Sequence, residues 1–272
     1  MFDADSHWNH LPTRVKPDLK DFLFTLLRSK ADSTVKKYEK EILKFIEWCN
    51  LSNVRPVPPF PVSLAVVYLH KVYKSSNSYA ALVVAHAAFK WFHSFILSNG
   101  SNPLDSSICH NLLEAAKRCK PVTVKKAPIS AEIIRSIIDK YASPSANLKD
   151  LRVACICSLE FAGFFRYDEL SNIVPAHLEF FPDYLKAFVP RAKNDVYRDG
   201  NYVYIKRLGN KYCPVALLER YMYMGDVNFS SNVALFRPVR LFKSCNTYKL
   251  YVGKLSYTRC REIFKDCLKN SA

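Results

Sequence analysis

A basic segment with two prolines, KRCKPVTVKKAP at residues 117–128, divides the sequence into two halves that differ in their hydrophobic pattern. The segment carries five basic residues and no acidic one, and Pro121 and Pro128 would each interrupt a helix. We predict an extended basic linker over residues 121–127, between a helical domain at 17–120 and a second domain at 128–272. Because charge runs usually just face water, a merely solvated connection stays open beside contact with an anionic partner.

The first half shows helical periodicity almost throughout. Residues 33–49 place apolar side chains on one face at helical spacing, and Ser33 or Asp32 is the expected cap. The proline-dense stretch VRPVPPFPV cannot be helical, and the helical period then resumes up to Gly100. A last helix is predicted over SSICHNLLEAAKRCK. This half is therefore expected to be a small helical bundle without strands.

The second half mixes helices with strand-like segments. Ser130 is expected to cap one helix, and LRVACICSLEFAGFF is apolar on nearly every side, which is typical of a buried helix. The segments HLEFFPDYLKAFVP and NYVYIKRL are rich in aromatic and β-branched residues and predict a small antiparallel sheet. A helix is expected to start at Pro214, and another, capped by Ser256, carries an apolar face toward the end of the sequence.

Charge indicates a polyanionic partner. The 272 residues contain 40 Lys and Arg against 24 Asp and Glu, which gives a formal net charge of +16, so nucleic acid or an acidic membrane surface is expected. The N-terminus lacks the pattern of a signal peptide, and no apolar stretch is long enough to span a bilayer, so we expect an intracellular protein. Six glycines without a phosphate-binding motif and nine cysteines without a CxxC pair indicate neither a nucleotide cofactor nor a metal.

The motif GFFRYDEL places Arg166 directly after the predicted buried helix and before Asp168 and Glu169. A buried guanidinium is costly unless carboxylates or a bound anion satisfy its five donors. Structural ion pairs of this kind are common, so the residues alone leave a structural pair and an anion site equally open.

Two motifs resemble those of the tyrosine recombinase, or phage-integrase, family. GFFRYDEL is similar to the family's Gly-Leu-Arg-x-x-Glu-Leu, and RAKNDVYRDGN to the hairpin that carries its lysine. GFFRYDELSNI is also similar to recombinases of eukaryotic mobile elements such as DIRS-like retrotransposons and Cryptons. The resemblance covers about residues 17 to 272. It implies a mainly α fold, with an N-terminal SAM-like helical bundle (the core-binding domain) and an α+β catalytic-like domain containing a small antiparallel sheet.

The resemblance also implies a chemistry. Family members cleave DNA without a metal or cofactor: a tyrosine attacks a backbone phosphate, and the 5′-oxygen leaves. Arg166 corresponds to the arginine that stabilises the phosphorus at its most negative stage, Lys193 to the general acid, and Glu169 to the carboxylate that orients the arginine, while Asp168 is expected to face solvent. Without the resemblance, Lys193 beside Asp195 would be ordinary turn chemistry.

One departure from the family bears on activity. The family's His-x-x-Arg element and nucleophilic tyrosine should follow the last predicted helix, but no histidine follows His177, and Tyr248, Tyr251 and Tyr257 come too early. We therefore expect a DNA-binding protein descended from an enzyme of DNA integration and recombination, present here as a truncated or inactive copy.

The expected partner is double-stranded DNA, bound by a homo-oligomer, and the expected location is the nucleus. Candidate phosphate contacts are the basic residues near helix ends and in the linker: Lys36, Lys37, Lys90, Lys117, Arg118, Lys120, Lys125 and Lys126. Trp91 and Phe92 are interpreted as helix core. A helical protein-interaction or RNA-binding module without a recombinase role is the alternative.

Overall fold

A computed structural model describes residues 12, 14, 16–96, 101–122, 124, 127–190, 195 and 199–269. The chain divides into two compact units, Met1–Lys125 and Lys126–Ala272, and the predicted linker straddles this division. Each unit has its own hydrophobic core.

The described part of the N-terminal unit is helical. Its helices are α1 Lys16–Leu27, α2 Asp32–Leu51, α3 Val62–Ser76, α4 Tyr79–His93 and α5 Ser107–Arg118, with a 3-10 turn at Pro103–Asp105. Aromatic rings form the centre of the bundle: Phe45 is fully buried and contacts the rings of Phe60 and Phe89. α4 ends at His93, earlier than Gly100, and the buried His93 ring accepts a hydrogen bond at Nε2 from the Phe60 backbone N–H, 3.0 Å away.

The predicted cap of α2 is wrong. The N-cap is Ala31, which makes no side-chain hydrogen bond, and both Asp32 and Ser33 lie inside the first turn. At that position the carboxylate of Asp32 can stabilise the helix through the macrodipole instead of through a cap.

The C-terminal unit surrounds a central helix. Its elements are α6 Ala131–Tyr141, α7 Leu148–Gly163, the single turn α8 Tyr167–Leu170, a 3-10 turn at Pro175–His177, β1 Leu178–Phe180, β2 Tyr184–Val189, β3 Asn201–Lys206, α9 Pro214–Met224, β4 Val239–Phe242, β5 Thr247–Leu250 and α10 Tyr257–Lys269. The apolar run that predicted a buried helix forms α7, in which every residue from Leu151 to Leu159 is buried.

The predicted antiparallel sheet is confirmed. Its strand order is β1-β2-β3, and Leu185 of β2 faces Ile205 of β3 with both side chains in the core. The hairpin of β4 and β5 was not predicted, because its short strands alternate charged and apolar residues without a glycine turn.

Serine caps begin two of the helices as expected. Ser130 accepts a hydrogen bond at Oγ from the backbone N–H of Ile133 at α6, and Ser256 accepts one from Arg259 at α10. The apolar face of α10 is covered by the core, since Cys260, Ile263 and Cys267 are all buried. Tyr257, by contrast, is exposed at the start of that helix.

Candidate functional site

Arg166 lies where the chain turns out of α7 into α8. α7 ends at Gly163, and Phe164 then takes a left-handed conformation at φ +52°, which reverses the direction of the backbone. Arg166 is the N-cap of α8, and Glu169 is the third residue of that helix. The two carboxylate oxygens of Glu169 accept from the Arg166 guanidinium and from its backbone N–H, each at 2.8 Å.

The predicted burial of Arg166 is wrong, and the structure reverses the two partners. The Arg166 side chain is 53% exposed, whereas that of Glu169 is only 8% exposed. The reversal at Phe164 points Phe165 into the core and directs Arg166 outward. The buried Glu169 carboxylate therefore accepts one charge-assisted hydrogen bond from the guanidinium and one hydrogen bond from the backbone N–H, and it holds the guanidinium at the surface.

The helix that carries Arg166 is fixed to the segment before α10. The Tyr167 hydroxyl donates to the backbone carbonyl of Leu255 at 2.7 Å, and the Tyr167 ring meets that of Tyr257 edge-on. The Lys254 ammonium donates to the Asn172 side-chain oxygen at 2.9 Å. Asp168, as expected, faces solvent. These contacts join residues that are far apart in sequence, and they fix the position of the turn that carries Arg166.

Lys193 lies outside the described residues, so its place beside Arg166 stays a prediction. The stem of its hairpin, β2 and β3, is described. Asp195, which had suggested an ordinary turn, accepts at its carboxylate from the backbone N–H groups of Asp199 and Gly200, at 3.1 and 2.8 Å. The carboxylate therefore organises the end of the hairpin.

The basic residues proposed for the N-terminal unit are exposed wherever they are described. Lys36 and Lys37 lie on α2; Lys117 and Arg118 end α5, and Lys120 follows. Lys90 pairs with Asp105, and Lys117 with Glu114 at 3.5 Å. Exposed ion pairs of this kind contribute little to stability, so a phosphate can replace the carboxylate as the partner of the lysine. Lys125 and Lys126 lie outside the described residues.

The aromatic residues of α4 behave as core. Phe92 is buried, and Trp91 is half-buried between the rings of Tyr38 and Phe95. The structure therefore supports packing for both residues, as the sequence indicated.

Two ionisable residues of the buried helix α7 were missed by sequence reasoning. Arg152 is 3% exposed, and Glu160 is mostly buried, with no hydrogen-bond partner for Oε1 among the described residues. Burial raises the pKa of Glu160 to about 8 and lowers that of Arg152. Both lie in a run whose pattern predicts only a buried apolar helix. The signal that could have found them is the presence of two charged residues within that run.

Within the described residues, no group of His, Cys, Asp and Glu side chains is arranged to hold a metal ion. No described helix is long and apolar enough to cross a membrane. Seven of the nine cysteines are buried, as is usual for this residue when it packs as a small apolar side chain.

Comparison with known proteins bears on this geometry. No family model matches the chain. The sequence is 26% identical over 233 residues to an integrase/recombinase xerD homologue of Selenomonas ruminantium, an alignment that covers 83% of this chain and 65% of that protein. The chain thus spans just under two thirds of the length of this curated relative.

One of the matching solved structures has a similar fold, and a second matches more weakly. Lambda integrase, in a tetramer bound to a Holliday junction, matches over 97% of this chain and 68% of its own, with a TM-score of 0.52 and 13% identity. The Tn1549 transposon integrase, in complex with circular intermediate DNA, matches over 98% of this chain and 76% of its own, with a TM-score of 0.48 and 12% identity.

The class of fold that the sequence predicted, mainly α with a small antiparallel sheet, is therefore confirmed. The resemblance to the tyrosine recombinase family is confirmed as well, by the curated relative in sequence and by lambda integrase in fold. The similarity to eukaryotic mobile elements stays a prediction.

Proposed function

We propose that this chain binds duplex DNA as a protein of the tyrosine recombinase type, and that Arg166 contacts a backbone phosphate. The observation that carries the proposal is the Arg166–Glu169 pair, in which a buried carboxylate fixes an arginine whose side chain is half exposed. Only Nη1 of this guanidinium has a hydrogen-bond partner among the described residues. The remaining donors suit a phosphate, which guanidinium binds bidentately.

The proposed roles follow from the chemistry of phosphoryl transfer. During attack on a backbone phosphate, negative charge grows on the non-bridging oxygens, and a fixed guanidinium stabilises it without reorganising. Glu169 orients Arg166 through two hydrogen bonds. Lys193 would supply the proton that the departing 5′-oxygen needs.

We further propose that these 272 residues bind DNA without cleaving it. Arg166 and Lys193 need an attacking atom, and the three tyrosines nearest the end of the sequence are poorly suited to provide one. Tyr248 packs against the core, and the Tyr251 ring lies 3.6 Å from the guanidinium carbon of Arg240. Tyr257 is exposed but contacts Tyr167. A nucleophile would have to come from residues outside this sequence or from another chain.

The finer features of the proposal rest on resemblance. Relatives with this fold include a tetramer bound to a Holliday junction, which supports binding to DNA as an oligomer. We propose an origin from a eukaryotic mobile element, and with it a nuclear location, from the amino-acid sequence of the GFFRYDELSNI motif alone. A helical module for protein or RNA contacts has no observation in its favour here.

DNA binding is tested by fluorescence anisotropy with a short labelled duplex over a series of salt concentrations. Affinity should fall steeply with salt, because lysine and arginine contacts release counterions from the phosphates. Arg166→Ala should weaken binding by about tenfold, the loss expected for a charged hydrogen bond. Lys140→Ala, which removes an exposed cation of α6, is the matched control and should change affinity far less. Binding that does not respond to salt, or equal effects of the two variants, would contradict the proposal.

Cleavage is tested separately with a nicked duplex that traps a covalent phosphotyrosyl product by losing the strand needed for religation. We expect no covalent protein–DNA band. A band that disappears in Arg166→Ala would show that one of the three tyrosines acts as a nucleophile and would refute the proposed inactivity, while leaving the role of Arg166 intact.

A further inference from the structure

A small cavity in the C-terminal unit is lined by four cationic side chains. Its volume is about 200 Å³, and its walls come from the start of α7, the start of β4 and the segment that leads into α10. The residues that line it are Lys149, Arg152, Pro238, Val239, Lys254, Leu255, Ser256 and Arg259. No carboxylate is among them.

Arg152 gives this cavity an unusual requirement for negative charge. Arg152 is almost completely buried, with an exposed fraction of 3%. Its Nη1 donates to the backbone carbonyl of Arg237 at 2.7 Å, and its Nε has no partner among the described residues. A buried guanidinium needs both charge compensation and partners for its donors, and within the described structure no carboxylate pairs with Arg152.

The neighbouring acidic groups do not supply the missing charge. Those that interact with the Arg152 charge are the Tyr221 hydroxyl, which donates to the Leu235 carbonyl, and the Cys260 thiol. Burial raises the pKa of Tyr221, and it raises that of Cys260 to about 11, so both stay neutral at physiological pH. Arg259 adds repulsion, which together with burial lowers the pKa of Arg152.

The remaining walls favour an anion of modest size. Lys149, Lys254 and Arg259 are exposed and bring three further positive charges to the rim. Ser256 lies directly before the first turn of α10, a helix of 13 residues whose amino end carries partial positive charge. Arg259 has an exposed partner, Glu262, which a bound anion can replace.

We propose that this cavity is a phosphate-binding site, with Arg152 as the buried donor and Lys149, Lys254 and Arg259 as the rim. A tetrahedral dianion or a backbone phosphodiester provides oxygens for the free Nε donor of Arg152 and for the rim cations. The phosphate can belong to duplex DNA, in which case the site extends the DNA interface proposed above, or to a free phosphate compound.

The site is separate from Arg166 but mechanically joined to it. Arg152 and the end of α7 at Gly163 are about 16 Å apart along the helix axis. The wall segment that carries Lys254 and Leu255 is bonded to Asn172 and Tyr167, next to Arg166. A phosphate in the cavity would therefore fix the same segment that supports α8.

The first experiment measures thermal unfolding of the full chain in millimolar inorganic phosphate or in chloride at matched ionic strength. Phosphate should raise the melting temperature of the wild type, because a ligand that binds only the folded state stabilises it. Arg152→Met should abolish this rise. If Arg152→Met fails to fold, Arg259→Gln provides the test, with Arg261→Gln on the same helix but outside the cavity as its matched control. Equal responses of Arg259→Gln and Arg261→Gln, or no specific effect of phosphate, would overturn the site.

The second experiment identifies the source of the phosphate by anisotropy with labelled duplex DNA. If the source is DNA, Arg152→Met and Arg259→Gln should weaken binding by about tenfold, and Arg261→Gln should not. If phosphate stabilises the wild type but DNA affinity is unaffected, the site takes a free phosphate compound. Loss of affinity in Arg166→Ala with no phosphate response would remove the site and leave the proposed function standing, so the two can fail independently.

Discussion

Replacing Glu160 with glutamine should stabilise the C-terminal unit increasingly as the pH rises from 5 to 8. Glu160 lies near the end of the core helix α7, close to the thiols of Cys157 and Cys260, whose pKa values its charge helps to raise. Burial raises the pKa of Glu160 itself from 4.5 to about 8. The folded state therefore keeps a proton on this carboxyl that the unfolded chain gives up near pH 4.5.

The size of the effect follows from linkage. Between pH 4.5 and 8 the native state binds one more proton than the unfolded state, so the free energy of unfolding falls by about 1.4 kcal/mol per pH unit. A pKa of about 8 against 4.5 sets an upper limit of about 5 kcal/mol for the complete loss. Stability from this group is fully present below pH 4.5 and is lost as the pH rises through 8. Glutamine imitates the protonated acid and cannot release the proton, so Glu160→Gln should be more stable than the wild type by about 2 to 4 kcal/mol at pH 8 and by less than about 1 kcal/mol at pH 5.

Urea denaturation followed by circular dichroism at several pH values measures this difference. All three tryptophans lie in the N-terminal unit, so tryptophan fluorescence follows that unit and serves as an internal control that Glu160→Gln should leave unchanged. Glu179→Gln, at an exposed carboxylate of β1, is the matched variant and should keep the pH dependence of the wild type. If Glu160→Gln unfolds with the same pH slope as the wild type, the carboxyl is ionised in the folded protein and the reasoning fails.

Two further predictions concern the hairpin and the thiols. Gly200→Ala should destabilise the C-terminal unit by about 2 to 3 kcal/mol in the same denaturation assay, because Gly200 has φ +74° and a Cβ would lie 2.4 Å from the Phe188 ring. Gly209→Ala, where a Cβ meets nothing within 4 Å, should change stability little. Of the nine cysteines only Cys119 and Cys245 are exposed, so a colorimetric thiol reagent should titrate two thiols in the native protein and nine in urea. Cys245 should react first, since a hydrogen bond with a threonine hydroxyl lowers its pKa, and Cys245→Ser should remove that phase; an unchanged fast phase would contradict this.

The features that sequence reasoning predicted correctly are those that a short stretch determines. Periodicity located the helices of the N-terminal unit and the buried helix α7, and β-branched and aromatic runs located β2 and β3. The contact of Arg166 with Glu169 was predictable for the same reason, because residues three apart at the start of a helix lie side by side.

The burial of Arg166 could not be predicted, because it depends on one backbone conformation. A left-handed residue at the end of a helix is usually glycine, and here that position is Phe164, which is 87% exposed. Without the reversal, the apolar run would carry straight into Arg166 and bury it. The pattern GFFR therefore suggested an interior arginine, whereas the interior position belongs to Phe165.

The cationic cavity shows the other limit of sequence reasoning, which is distance along the chain. Lys149 and Arg152 are separated from Lys254 and Arg259 by about a hundred residues, and only the packing of α7 against the segment before α10 brings them together. Each residue alone has an ordinary explanation: an arginine in a core helix can extend its head to the surface, and lysines near a helix start can face water. The combination has no such explanation, because Arg152 does not reach the surface, its Nε finds no partner among the described residues, and Arg259 adds positive charge beside it. An anion that enters such a cluster would supply the charge that Arg152 lacks, and in a chain of net charge +16 a phosphate is the anion that we propose.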